Sequence, residues 1–318
     1  MQIPIIDFKP FIAGDTAARI AVASQISGAV HEFGFFYLKN YGVPKTLVTQ
    51  AFAQAKWFFA LPQEQKNQLA WDKYTTAGGY EGLQQQKFTT VADLKEGFTF
   101  GPEFDSNELG VASDRLLDAP NEWSQSQTEF RKVLLQFFDA CQQATSSVLQ
   151  AFALALKLRE SYFTNFHTSN NFLIRLHHYP VLSQPPEPGQ IGCGEHNDLG
   201  SVTLLFQDEV EGLEICTTHG EWIAAVFIPD TVLVLVGEMI ERWTNDKFRA
   251  TVHRVSIPTN FRTAKPRYSI GFFANPNYDA EITCIESCLG VNETPKYPPF
   301  KAGEYLKQKY RETYKHLQ

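Results

Sequence analysis

A histidine, one spacer and an aspartate, His196-Asn197-Asp198, stand ahead of an apolar run, Leu199-Gly200-Ser201-Val202-Thr203-Leu204-Leu205-Phe206. On an extended strand alternate side chains share a face, so this imidazole and carboxylate can point toward one ion. A lone histidine in Val252-His253-Arg254-Val255 supplies a second imidazole if its strand lies alongside. Two imidazoles and one carboxylate cover one face of a metal and leave the other open, the ligand set associated with non-haem Fe(II) oxygenases. Further on, Arg267-Tyr268-Ser269 places a guanidinium and a hydroxyl on a common strand face, where together they can hold a carboxylate. Zinc also accepts two histidines and a carboxylate. A zinc hydrolase or a non-catalytic small-molecule binder therefore stays open at this point, disfavoured only by the R-x-S pattern.

These residues need strands to position them, and the chain offers many. Short strands are expected at Asn171 to Tyr179, Leu213–Cys216, Glu221–Val226, Val232–Val236, Ala250–Val255 and Tyr268–Ala274, with turns between them such as Thr217-Thr218-His219-Gly220. Regularly spaced short strands indicate a β-barrel or jelly roll. Ahead of them, Ile3 to Phe8 and Phe35-Phe36-Tyr37-Leu38 read as strands, while Thr16 to Phe33 and Lys45 to Phe59 carry helical spacing. A long helix is expected from about Gln125 to Leu158, and another from Glu304 to Leu317 with tyrosines at 305, 310 and 314. Thr75 to Phe104 is less regular, and its glycines and aromatics suit either a loop over a pocket or a plain surface hairpin. No repeat or low-complexity linker divides the chain. One catalytic domain, 1–318, is expected, with a support region at 1–125 and the site-bearing core at 165–280.

The order of the motifs carries a resemblance. H-N-D-L-G-S-V-T-L-L-F-Q-D, G-L-E-I, V-G-E-M-I, T-N-D-K-F-R-A-T-V-H-R-V and R-Y-S-I, together with H-E-F-G-F-F-Y-L-K-N-Y-G-V-P and W-F-F-A-L-P near the start, are similar to the 2-oxoglutarate- and Fe(II)-dependent dioxygenases. Within them the chain resembles the branch around isopenicillin N synthase. The resemblance implies a mainly β fold with flanking α, a double-stranded β-helix (jelly-roll) core carrying N-terminal and C-terminal helices. It implies Fe(II) on His196, Asp198 and His253, 2-oxoglutarate as cosubstrate with its distal carboxylate on Arg267 and Ser269, and O2. Tyr179 matches a family tyrosine that touches the same carboxylate, and His177 on its face stands where many relatives have Asn. The implied reaction is oxidation of a small organic molecule, hydroxylation by default, with desaturation or ring closure open to the same oxidant. An oxidase of the same fold that uses no 2-oxoglutarate is the alternative.

Phe273 shares the parity of Arg267 and Ser269, and the resemblance implies either a ring stacked on the substrate at the barrel mouth or a core phenylalanine; Tyr80, Phe98 and Phe100 of the irregular segment are expected to complete an aromatic wall. Arg175, on the face of His177 and Tyr179, is expected to meet an anionic group of the substrate. Glu195 has the wrong parity for a ligand, and Cys193 is expected as a buried thiol.

Bulk composition narrows the rest. A net charge of −7 with scattered basic residues argues against nucleic-acid and anionic-membrane surfaces. The five cysteines fit no disulfide framework, so reduced thiols and a cytoplasmic location are expected. The start lacks a basic, apolar leader, and the most apolar run, Thr231 to Val236, is too short to span a bilayer. A monomer acting on a small molecule is the expectation.

Overall fold

In the computed structural model, residues 3–70, 78–88, 91–103, 121, 123, 128–168, 171–258 and 265–313 are described. Two sheets face one another. Their strands in chain order are β1 (Ile5–Asp7), β2 (Phe35–Lys39), β3 (Gly79–Glu81), β4 (Glu96–Phe100), β5 (Phe172–Tyr179), β6 (Cys193–His196), β7 (Val202–Gln207), β8 (Leu213–Cys216), β9 (Trp222–Ala224), β10 (Thr231–Val236), β11 (His253–Val255) and β12 (Arg267–Ala274). The major sheet is eight-stranded, ordered β1-β2-β10-β7-β12-β5-β4-β3, and the minor sheet is four-stranded, ordered β6-β11-β8-β9. The jelly-roll expectation holds, and the N-terminal region does more than support it. Two of its strands extend one edge of the major sheet, β2 pairing antiparallel with β10, and two more extend the other edge.

The major sheet is covered on both faces, and its strands β2, β7 and β10 read as near-continuous hydrophobic runs rather than alternating ones. In β10, Val232, Val234 and Val236 pack with the helices, whereas Leu233 and Leu235 join Leu213, Ile215 and Val255 between the sheets. The helices Thr16–Phe33, Lys45–Phe59 and Thr128–Ala155 cover the outer face. The first two match their expected bounds. The third is continuous across its described length, and residues 125–127 of its expected start lie outside the described residues. Asp15 caps the first, its carboxylate accepting from the Ala18 amide at 2.9 Å, and Gly34 ends it at φ 83°. That left-handed turn costs an L-residue strain that glycine avoids. It reverses the chain directly into β2.

All five cysteines are free thiols. Among the described residues, no helix is long and apolar enough to cross a membrane.

Candidate active site

The register of the minor sheet brings the two histidines together. His253 on β11 lies directly opposite His196 at the end of β6. Because β6 stops at His196, Asp198 comes from the turn that follows rather than from the strand itself. One ligand atom from each of His196, Asp198 and His253 falls within 4.8 Å of the others.

The imidazoles are oriented by carbonyl groups, which can only accept. His196 Nδ1 donates to the Gly194 carbonyl at 2.8 Å and His253 Nδ1 to the Thr251 carbonyl at 3.0 Å. Both protons therefore sit on Nδ1, leaving the Nε2 lone pairs for an ion. His253 Nε2 stands 3.9 Å from Asp198 Oδ1. Burial, then the neighbouring His196, holds the His253 pKa down to about 4, so this is a meeting of two ligand atoms rather than a salt bridge. Asp198 Oδ2 is buried with no hydrogen-bond partner. An unpaired carboxylate oxygen between two deprotonated nitrogens suits a divalent cation.

Close backbone packing fixes the turn. The Asp198 carbonyl accepts from the Glu238 amide at 2.9 Å, and a Cβ at Gly237 would lie 2.2 Å from the Gly200 carbonyl oxygen. His196 is also clamped from the side by Phe88, whose ring stacks on it at 4.1 Å and 4°.

Opposite the triad, the inner face of the major sheet supplies the second group. Arg267 pairs with Tyr179, and Ser269 with His177 and Gln207. Arg267 donates to Ser269 Oγ at 3.2 Å and to Gln207 Oε1 at 3.0 Å, its guanidinium lies 5.0 Å from the Tyr179 ring centroid, and its Nε is buried without a partner. A buried guanidinium whose acceptors, Ser269 and Gln207, are both neutral fits an incoming carboxylate. His177 is buried, its Nδ1 has no partner, and burial pushes its pKa well below the usual value.

Triad and guanidinium open on one cavity of about 590 Å³, which Tyr179, His177, Arg175, Ser269 and Phe273 also line. Gly271, between Ser269 and Phe273, leaves room for the Phe273 ring, which a Cβ there would meet at 2.7 Å.

Two expectations need correcting. Tyr80, Phe98 and Phe100 do not line this cavity: they are buried on the helix side, where Phe98 packs against Phe58 and Phe130. Register is the reason. Thr99 pairs with the inward-facing Arg175, so Phe98, opposite Leu176, and Phe100, opposite Ile174, point outward, as does Tyr80 opposite Phe98. Of the two readings of the irregular segment, covering loop and surface hairpin, the described residues form largely an edge hairpin, and residues 75–77, 89, 90 and 104 of it lie outside the described residues. Its inward residues Glu81, Gln86, Phe88, Lys95 and Thr99, missed from sequence, are the ones that reach the cavity. Arg175 does line the cavity, but its guanidinium is ion-paired with Glu81, which removes the basis for expecting an anionic substrate group there.

A second missed wall is the helix Ala302–Thr313, which contributes Leu306, Tyr310 and Thr313. It is tied down through Glu238: the Tyr305 hydroxyl donates to the Glu238 carboxylate, and Lys309 lies 3.9 Å from it. The expected continuation of this helix beyond residue 313, with Tyr314, lies outside the described residues. Cys193 is a buried thiol, as expected, and Glu195 points away to Arg254 at 2.8 Å. His178, on the opposite strand face from His177, stacks on Tyr268 and bonds Glu96.

The buried histidines make the metal-free protein pH-sensitive. Burial lowers His167 and His253 to about 4 from the ordinary 6.5. The unfolded chain takes up these protons below pH 6.5 and the folded chain refuses them until about 4, so stability should fall as pH drops through that window. For His167 alone the loss is up to about 3 kcal/mol. Thermal melts in chelator across this range check it, and a flat profile would mean the histidines are protonated in place.

Comparison with known proteins agrees with this geometry. Residues 3–126 match the family described as "non-haem dioxygenase in morphine synthesis N-terminal", and residues 170–276 match the 2OG-Fe(II) oxygenase superfamily. The chain is 32% identical to the 2-oxoglutarate-Fe(II) type oxidoreductase hxnY of Emericella nidulans, over 98% of this chain and 90% of that protein. It is 31% identical to the proline hydroxylase buaE of Petromyces alliaceus, over 99% of this chain and all of that one. The crystal structure of a full-length Neurospora crassa protein in complex with alpha-KG and thymine superposes with a TM-score of 0.85 at 33% identity, covering 98% of this chain and 97% of that one. The chain belongs to the 2OG-Fe(II) oxygenase superfamily and is a non-haem iron, 2-oxoglutarate-dependent oxidoreductase.

Proposed function

We propose that His196, Asp198 and His253 hold the Fe(II), that Arg267 and Ser269 hold the distal carboxylate of 2-oxoglutarate beside Tyr179 and His177, and that Phe273 and Arg175 wall the substrate in a reaction that hydroxylates a small organic molecule. The observation that carries this reading is the pairing within one cavity of an unsatisfied carboxylate between two imidazoles with an unsatisfied buried guanidinium. Bound Fe(II) and 2-oxoglutarate supply the oxidant from O2, with release of succinate and CO2. The chain's part is positional: carbonyls fix the imidazole tautomers, Arg267 sets the cosubstrate's orientation, and the apolar inner residues of both sheets exclude water. One catalytic domain accounts for the chain, since strands from both 1–125 and 165–280 share the major sheet. A cytoplasmic monomer that binds neither nucleic acid nor membrane completes the reading, supported by the acidic net charge.

Anaerobic addition of Fe(II) and 2-oxoglutarate should produce a visible charge-transfer band, followed in air by succinate. No band would favour a zinc site, and oxidation without 2-oxoglutarate consumption would favour the cosubstrate-free oxidase. Ser269→Ala removes one hydrogen bond from the carboxylate site and should weaken 2-oxoglutarate by about 1–2 kcal/mol, read by titration of that band; an unchanged affinity places Ser269 outside the clamp. Phe273→Ala should lower the ratio of product to succinate, because lost stacking and burial, roughly 1–3 kcal/mol, leaves the C–H bond poorly placed while 2-oxoglutarate still turns over. An equal ratio with equal substrate affinity would return Phe273 to the core.

A further inference from the structure

The charges in the cavity wall are matched before any organic substrate enters. Arg175 is ion-paired with Glu81. Lys95, 5% exposed, lies 3.6 Å from Asp93 and also donates to Cys193 Sγ at 2.8 Å. His177 stays neutral because it is buried. Arg311 lines the rim but is exposed, so water screens it. That leaves Asp198 and Arg267, equal and opposite, and the two positive charges of Fe(II) cancel the two negative charges of 2-oxoglutarate. A charged substrate would therefore bring an ion with no counterion into an enclosed space.

Apart from the atoms assigned to iron and cosubstrate, two cavity-lining side chains carry buried oxygens without a donor: Gln86 Oε1, on a residue 6% exposed, and Asn197 Oδ1. Unsatisfied buried acceptors are costly unless a ligand brings donors to them.

We infer that the substrate is an uncharged, N–H-bearing molecule of the amide or cyclic imide class, its N–H groups received by Gln86 and Asn197 at a wall made electrically neutral by the Glu81–Arg175 pair. This rests on the cofactor assignment above and specifies the substrate class of the same site. Recognition combines donor number with the exclusion of charge, which together separate amides from the carboxylic acids of the same shape.

The test uses the full-length enzyme loaded anaerobically with Fe(II) and 2-oxoglutarate, with ligand binding read as a perturbation of the charge-transfer band. Matched probes are benzamide against benzoate and phenylacetamide against phenylacetate. Each neutral member should bind at least about tenfold more tightly than its acid, one unpaired buried charge being worth no less than that. Glu81→Gln removes the carboxylate ion-paired with Arg175 and should move the preference toward the acids by about tenfold or more. Gln86→Leu should weaken the neutral members roughly fivefold or more and leave the acids unchanged. Acids binding as tightly as amides, binding by neither series, or an unaltered preference in both variants would each overturn the inference. Because the band forms before any probe is added, its absence would instead sink the cofactor assignment and this inference with it.

Discussion

Asp198→Ala should bring succinate formation to background, about a thousandfold or more below wild type, because it removes the anionic member of the metal site and with it several kcal/mol of metal-borne stabilisation. The fold should survive. Asp198 Oδ2 has no hydrogen-bond partner, and the turn around it is held by backbone contacts, the Asp198 carbonyl to the Glu238 amide and the close approach of Gly237 to Gly200. The thermal midpoint of the metal-free variant should therefore equal or exceed that of wild type, since an unpaired buried carboxylate is lost. Iron content, succinate and a thermal melt measured together decide it: a variant that keeps iron and turns over normally takes Asp198 out of the ligand set. His196→Ala and His253→Ala should also abolish turnover.

Arg267→Leu is the second large effect. The leucine would leave the distal carboxylate of 2-oxoglutarate unpaired in a buried site, a cost of about 3–5 kcal/mol, or roughly two to four decades in affinity. Gln207 and Ser269, which accept from Arg267 in the cosubstrate-free protein, would lose their donor at the same time. Titration of the charge-transfer band gives the affinity directly. Wild-type affinity in Arg267→Leu would mean that the cosubstrate's carboxylate lies elsewhere.

The candidate metal and carboxylate-binding groups could be picked out in the sequence because each rests on a two-residue period within or beside one strand: 196 with 198, 267 with 269, 177 with 179. Parity alone relates such residues. Placing His253 opposite His196 needed the family resemblance, since pairing between distant strands leaves no local trace. The aromatic wall failed for the same reason. Phe98 and Phe100 lie on a strand buried on both faces, so no polar alternation marks which side looks inward, and only the pairing of Thr99 with Arg175 settles it. Glu81, Gln86 and Lys95 read as ordinary surface polar residues until the hairpin is folded against β5. Tyr310 sat in a correctly expected helix whose docking face nothing nearby in the chain specified.

That helix, Ala302–Thr313, forms part of the cavity wall yet lies wholly outside the chain segment that carries the triad and Arg267. Chemistry and molecular shape are thus inherited on separable stretches of chain. Exchange of the C-terminal stretch with that of a relative keeping Glu238's tyrosine partner would transplant a new lining onto an unaltered iron centre, so diversification of such enzymes can proceed by grafting tails rather than by rebuilding barrels.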